Sequence, residues 1–311
     1  MTTKLAIVFP GQGSQSVGML ADLYAEFDIV KQTFTEASDA LGYDLWALVA
    51  NGPEADLNET QRTQPALLTA SVAVWRLWQQ QGGVQPAYFA GHSLGEYSAL
   101  VCAGVLSLSD AVKLVEKRGN YMQQAVPAGV GAMSAIIGLD DAAIAAACEQ
   151  AAQGEVVSPV NYNSPGQVVI AGHKAAVERA GELCKAAGAK RALPLPVSVP
   201  SHCALMQPAA EKLATDLAAL NFNHAVIPVV NNVDVVTTND AAAIKDALVR
   251  QLYSPVRWTE TIEWLAAQGV TDVLELGAGK VLSGLIKRIN KELTTGSVGD
   301  VASLQAALSA Q

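Results

Sequence analysis

Residues 4–9, apolar from Leu5 to Phe9 and stopped by Pro10-Gly11, read as a short buried strand. Residues 65–81 read as a helix. Leu68, Val72 and Trp75 share one face, a proline sits in the first turn, and Gly82-Gly83 ends it. Residues 87–90 form a second short strand, followed at once by a glycine-bounded turn and an apolar helix, and residues 227–231 and 273–276 look like further buried strands. Strands alternating with helices predict an α/β fold with a mainly parallel sheet.

The middle of the chain keeps a different rhythm. A strand at 131–138 precedes an alanine-rich helix at 140–152. Strands at 156–162 and 167–171 flank a tight Asn163-Ser164-Pro165-Gly166 turn. A helix at 174–187 ends at Gly188, and a last strand covers 191–197. The order βαββαβ is that of a ferredoxin-like unit. It is expected to occupy residues 128–197 as an insert, splitting a larger α/β core into residues 1–127 and 198–311. No internal repeat is visible, and the tail after Thr294 has no pattern clear enough to assign.

Half of the 311 residues are hydrophobic and 16% are charged, enough for a large core and too apolar for a disordered chain. No apolar run approaches the roughly 20 residues that cross a bilayer, and the start Met1-Thr2-Thr3-Lys4 carries no secretory pattern. Cys102, Cys148, Cys184 and Cys203 are scattered. Neither a disulfide frame nor a zinc site is expected, and the reading is of a cytoplasmic protein. A net charge of −9 argues against nucleic acid as a partner.

The strongest local signal is Gly91-His92-Ser93-Leu94-Gly95, between a predicted strand and a predicted helix. That is the setting of a nucleophile elbow, in which a sharp turn needs small neighbours and presents the serine hydroxyl above the sheet. The helix start behind it favours developing negative charge. A serine needs a base. Of the four histidines, His92 should point away from Ser93, and His173 and His224 lie in polar stretches. His202 lies in a loop after the insert, so it is the candidate. Asp234, Glu275 and Gln251 all follow His202 and could orient it; spacing does not choose among them.

The loop Phe9-Pro10-Gly11-Gln12-Gly13-Ser14-Gln15 fails the Rossmann spacing and suits backbone N–H groups facing the elbow. Gly277-Ala278-Gly279-Lys280 lacks the Walker spacing and reads as a turn that starts a helix. Arg118 lies on a helix at 110–124, with Met122 one turn on along the same face.

Together with Lys117-Arg118-Gly119, residues 161–172, Pro200-Ser201-His202 and Glu275-Leu276-Gly277, these motifs resemble the malonyl-CoA:acyl-carrier-protein transacylases of bacterial type II fatty-acid synthesis, from the first strand to about residue 290. The resemblance implies a hydrolase-like parallel-sheet core with a ferredoxin-like insert. It implies Ser93 as nucleophile and His202 as base, the latter oriented by a carbonyl at Gln251. The N–H groups of Gln12 and Leu94 would form the oxyanion hole. Arg118, with Met122 beside it, would hold the malonyl carboxylate. It implies malonyl-CoA and acyl carrier protein as partners, no metal or cofactor beyond the coenzyme A thioester, and neither membrane nor nucleic acid.

The chain departs from the family where Gly-Pro-Gly is common and Gly277-Ala278-Gly279 stands, which touches no implied catalytic role. Ser201 precedes the histidine, as is usual in stand-alone malonyl enzymes. The alternatives are a serine esterase or thioesterase of the same fold, which would have no reason to bury Arg118, and a non-catalytic carrier-binding module, which would not need both Ser93 and His202. An acidic carrier calls for a local basic patch on this acidic chain, either Lys185, Lys190 and Arg191 or Lys287, Arg288 and Lys291.

Overall fold

The computed structural model describes residues 4–311. Strand β1 (Leu5–Phe9) is fully buried from its second residue on, as its apolar run requires. Four helices follow: α1 (Ala21–Glu26), α2 (Asp28–Leu41), α3 (Leu45–Asn51) and α4 (Glu54–Leu57). Helices α1, α3 and α4 are too brief for a helical period to show in the hydrophobic pattern; α2 buries Val30, Phe34 and Ala37 on one face, a period the sequence reading leaves unassigned. Helix α5 runs Thr60–Gln80, five residues earlier than the pattern suggests, so Pro65 lies inside it. Its first turns look polar in sequence, yet Thr60, Thr63 and Gln64 are all buried. Gln64 and Thr60 face the site, the first bonded to Arg118 and the second to Gln12, while Thr63 turns its hydroxyl onto the Leu57 and Glu59 carbonyls.

Next come β2 (Tyr88–Gly91), α6 (Leu94–Cys102) and α7 (Leu108–Ala125), the last capped by the Ser107 hydroxyl accepting from the Asp110 N–H. The inserted segment holds β3 (Gly131–Ile137), α8 (Asp141–Ala152), β4 (Val157–Ser164), β5 (Gln167–His173), α9 (Lys174–Ala186) and β6 (Arg191–Pro194). The last strand is shorter than the expected 191–197, with Pro194 and Pro196 unable to donate ladder hydrogen bonds. The chain then forms α10 (Gln207–Ala218), β7 (Val229–Val230), α11 (Ala241–Gln251), α12 (Trp258–Ala267), β8 (Asp272–Leu276) and α13 (Val281–Ile289). The tail supplies β9 (Thr294–Val298) and α14 (Val301–Ser309). Small residues at Gly296 and Ser297 hide that strand from a hydrophobicity reading.

Two sheets result. The first has the order β7-β2-β1-β8-β9, every neighbouring pair parallel. The second has the order β4-β5-β3-β6, every pair antiparallel. In the first sheet Phe9 lies beside Gly91, and Val8 beside Glu275, so β1, β2 and β8 end together. The chain leaves β1 for β2 on one side and returns to β8 on the other. The winding reverses at the carboxyl ends of these strands, and it is at such switch points that α/β sites gather.

Phe89 packs against Phe9 and Trp75 with ring centroids 5.4 and 5.0 Å apart. Each such pair contributes about 1 kcal/mol beyond area burial. The second sheet buries one face under α8 and α9 through Ile136, Ile144, Val168, Ile170 and Cys184. Its outer strand is stitched to the core: Val256 N–H donates to Val160 O at 2.8 Å and Tyr162 N–H to Val256 O at 3.0 Å. No helix among the described residues is long and apolar enough to cross a membrane.

Candidate active site

Ser93 stands between β2 and α6 with φ of +51°, a conformation a side chain rarely takes. The turn is possible because its flanks are glycines. A Cβ on Gly91 would overlap the Gly95 carbonyl, and a Cβ on Gly95 would overlap the Phe9 carbonyl. Asn232, just beyond β7, pins both sides of the turn. Its Oδ1 accepts from Ser93 N–H at 2.8 Å and its Nδ2 donates to Gly91 O at 2.7 Å. Leu94 is the first residue of α6, so its N–H is one of the helix's free first-turn amides. Gly11 packs against the His92 carbonyl, which brings the loop carrying exposed Gln12 against the elbow, and the Gln12 side chain reaches Thr60 at 3.5 Å.

His202 is buried, with φ of +64°, and its Nε2 lies 2.8 Å from Ser93 Oγ. Its Nδ1 lies 2.7 Å from the main-chain oxygen of Gln251. A carbonyl can only accept, so Nδ1 carries the proton and Nε2 presents its lone pair to the serine hydroxyl. Burial first, and then the Arg118 guanidinium, push the His202 pKa down to about 3, so the resting ring is neutral. The other two groups that could have oriented it lie elsewhere. Asp234 forms a two-pronged pair with Arg250 at 2.9 and 2.8 Å. Glu275 accepts from Leu282 N–H, Ser283 N–H and Ser283 Oγ, holding the start of α13.

Arg118 reaches the same point from α7 and is 1% exposed. Its Nη1 donates to Gln64 Oε1 at 2.7 Å, and its Nη2 to Gln251 Oε1 at 3.0 Å and to Ser93 Oγ at 3.2 Å. The guanidinium lies over the Tyr97 ring, 5.3 Å from its centroid. Burial pulls its pKa down while Tyr97 and Glu96 pull it up. No carboxylate lies within ion-pairing distance of it among the described residues. A buried cation served only by neutral acceptors is poised for an anion. Met122 is buried one turn on, its sulfur 3.5 Å from Gln64 Nε2.

The structure therefore brings Ser93, His202, Gln251, Arg118 and Met122 together, with Gln12 and Leu94 at the elbow. Residues given no role from the sequence complete the cluster: Gln64, Asn232 and Glu96, with Gln251 Nε2 donating to Glu96 Oε2 at 2.9 Å. Each is a polar residue beside an apolar run, the one signal that could have marked them. His92 does turn away from Ser93, placing Nε2 2.8 Å from Asn163 Oδ1 on β4 and its ring against Trp258. His173 accepts from Val156 N–H and His224 is exposed, and neither is hydrogen-bonded to the cluster. Among the described residues no group of three or more His, Cys, Asp or Glu is gathered closely enough to hold a metal ion.

The acyl transferase domain family matches residues 6–306. The malonyl CoA-acyl carrier protein transacylase of Salmonella typhimurium strain LT2 is 69% identical over 306 residues, covering 98% of this chain and 99% of that protein. The crystal structure of an acyl carrier protein S-malonyltransferase from Vibrio cholerae superposes with a TM-score of 0.96 at 72% identity, covering 98% of this chain and 99% of that one. A malonyl-transacylase solved in complex with its type II polyketide acyl-carrier protein superposes with a TM-score of 0.98 at 64% identity, covering 99% of this chain and all of that one.

Proposed function

The chain belongs to the acyl transferase domain family, and from that membership we infer that it moves malonyl from coenzyme A to the phosphopantetheine thiol of acyl carrier protein, in fatty-acid biosynthesis. The observation that carries the chemistry is the double engagement of Ser93 Oγ, by His202 Nε2 at 2.8 Å and by Arg118 Nη2 at 3.2 Å. One neighbour takes the proton and the other reads the acyl group.

In the first half-reaction the Ser93 oxygen attacks the thioester carbonyl while His202 Nε2 takes its proton. The imidazolium so formed is held through Nδ1–H by the Gln251 carbonyl. The N–H groups of Leu94 and Gln12 receive the developing oxyanion, each donor of this kind contributing about 3 kcal/mol. The tetrahedral intermediate collapses, the C–S bond breaks, and His202 returns the proton to the departing coenzyme A sulfur. Malonyl remains as an ester on Ser93. The carrier thiol then attacks that ester with His202 again as base, and Ser93 is regenerated.

Arg118 grips the free carboxylate of malonyl with two parallel hydrogen bonds. That carboxylate also offsets the guanidinium's charge, the second-largest cause depressing His202, so the correct substrate raises the basicity of the base. The chemistry needs no metal or redox cofactor, since coenzyme A enters as a substrate thioester. We assign the reaction to the cytoplasm, in keeping with four free, buried cysteines.

Intact-mass measurement after mixing with malonyl-CoA is the test. One malonyl adduct is expected on the wild-type chain and none on Ser93→Ala. An adduct that persists in that variant overturns the assignment.

A further inference from the structure

Glu96 is a carboxylate for which the two half-reactions have no use, yet it is 2% exposed and one side chain away from Arg118. Its Oε2 accepts from Gln251 Nε2 at 2.9 Å and from Asn232 N–H at 3.0 Å. The Gln251 amide is thus held between opposite charges, Arg118 on its oxygen and Glu96 on its nitrogen. The ionisable groups around Glu96 are few. Tyr97 stands on its own helix, Arg118 comes from α7, and His202 from the loop before α10. Asp234, beyond β7, is engaged by Arg250 of α11. His202 is neutral, so the free site contains one cation and one internal anion joined through an amide. A void of about 10 Å³, lined by Glu96, Asn231 and Thr238 among apolar side chains, lies beside Glu96, room for at most one water molecule.

We propose that Glu96 and the substrate carboxylate share Arg118 in turn: when malonyl docks on the guanidinium, Glu96 takes a proton from solvent and becomes neutral. The inference rests on reading Arg118 as the malonyl anchor. Two anions around a single buried cation is the arrangement in which one carboxyl holds a proton. Glu96 is already close to doing so. Burial pushes it up to about 7, against the opposing pull of Asn232 N–H, Gln251 and Arg118. A protonated Glu96 still accepts both hydrogen bonds on Oε2, so the elbow and Gln251 keep their places while the charge leaves. The malonyl carboxylate itself has an ordinary acidity and stays ionised above about pH 6.

The sign follows. Below the free-enzyme pKa, Glu96 is neutral before malonyl arrives and no proton is consumed. Above it, each malonyl bound takes up a proton, and malonyl binding weakens by up to about tenfold per pH unit. Acetyl, with no carboxylate, has no such dependence. The ratio of kcat/KM for self-acylation by malonyl-CoA to that by acetyl-CoA isolates the effect: the elbow is common to both substrates, and kcat/KM reports the free enzyme, in which His202, held down at about 3, does not titrate in this range.

Between about pH 6 and 9, that ratio is expected to fall with pH in the wild type and to stay flat in Glu96→Gln, near the wild type's low-pH value. Calorimetry of malonyl-CoA binding to Ser93→Ala, in two buffers of different ionisation heat near pH 8, should show net uptake approaching one proton, whether or not Glu96→Gln folds. A flat wild-type ratio, an equal slope in Glu96→Gln, or no proton uptake overturns the inference and leaves the anchor standing. An Arg118→Ala enzyme that keeps its malonyl preference removes the anchor and the inference together.

Discussion

Replacing Arg118 with alanine should cost malonyl self-acylation far more than acetyl self-acylation, because only malonyl loses a partner. Charge-assisted hydrogen bonds contribute about 1.5–3 kcal/mol each, so the malonyl-to-acetyl ratio of kcat/KM should drop by at least tenfold. Equal losses for both would mark Arg118 as structural. Asp234→Asn should keep self-acylation within about tenfold of wild type, since the carboxylate touches Arg250 and not His202. A loss near 10⁴-fold, as when a triad carboxylate is neutralised, would contradict the carbonyl-oriented histidine. Ser93 was legible from its strand–turn–helix setting and His202 by elimination among four histidines, whereas Arg118 stood out only through the family resemblance, since a helix arginine alone reads as solvated. Gln64, Asn232 and Glu96 were not legible. A buried amide has no signature until the fold shows that a charge lies next to it.

Helices α5 and α7 cross so closely at Gly119 that a Cβ there would lie 2.6 Å from the Gln61 Cα. That approach is what lets Gln64 on one helix reach Arg118 on the other. Gly119→Ala must push the helices apart, at a cost of about 1–3 kcal/mol by overpacking. Thermal melting should show the loss of stability, and the malonyl-to-acetyl ratio should fall with it. A destabilised variant with an unchanged ratio would show that the crossing does not position Arg118. The inserted βαββαβ order and the strands β1, β2 and β8 were readable from apolar runs and turn residues. The start of α5 was misjudged for a physical reason: its first turns carry Thr60, Thr63 and Gln64, polar residues buried with hydrogen-bond partners, two of them at the site, where the rule that polar means exposed fails.

At the scale of the molecule, a chain of net charge −9 must attract an acidic carrier locally. Lys185 is occupied by Glu182. Lys287 and Arg288 lie exposed in the last turn of α13, and Arg288 reaches across to Gln167 of the insert at 2.7 Å, so this patch borders both sheets. Reversing both charges, Lys287→Glu with Arg288→Glu, should raise the KM for acyl carrier protein severalfold at low salt. Self-acylation by malonyl-CoA should not change, and the effect should shrink as ions screen it within about 10 Å. Carrier kinetics that ignore the reversal would move docking elsewhere.

His202 takes its alignment from a peptide oxygen, and every amino acid brings one of those. Genetic variation at position 251 can alter the amide between Arg118 and Glu96, but it cannot delete the acceptor. A saturation scan of that codon would therefore record the reading of the acyl group and remain blind to the steering of the base. Only editing the main chain itself, or displacing the end of α11 bodily, would expose that role.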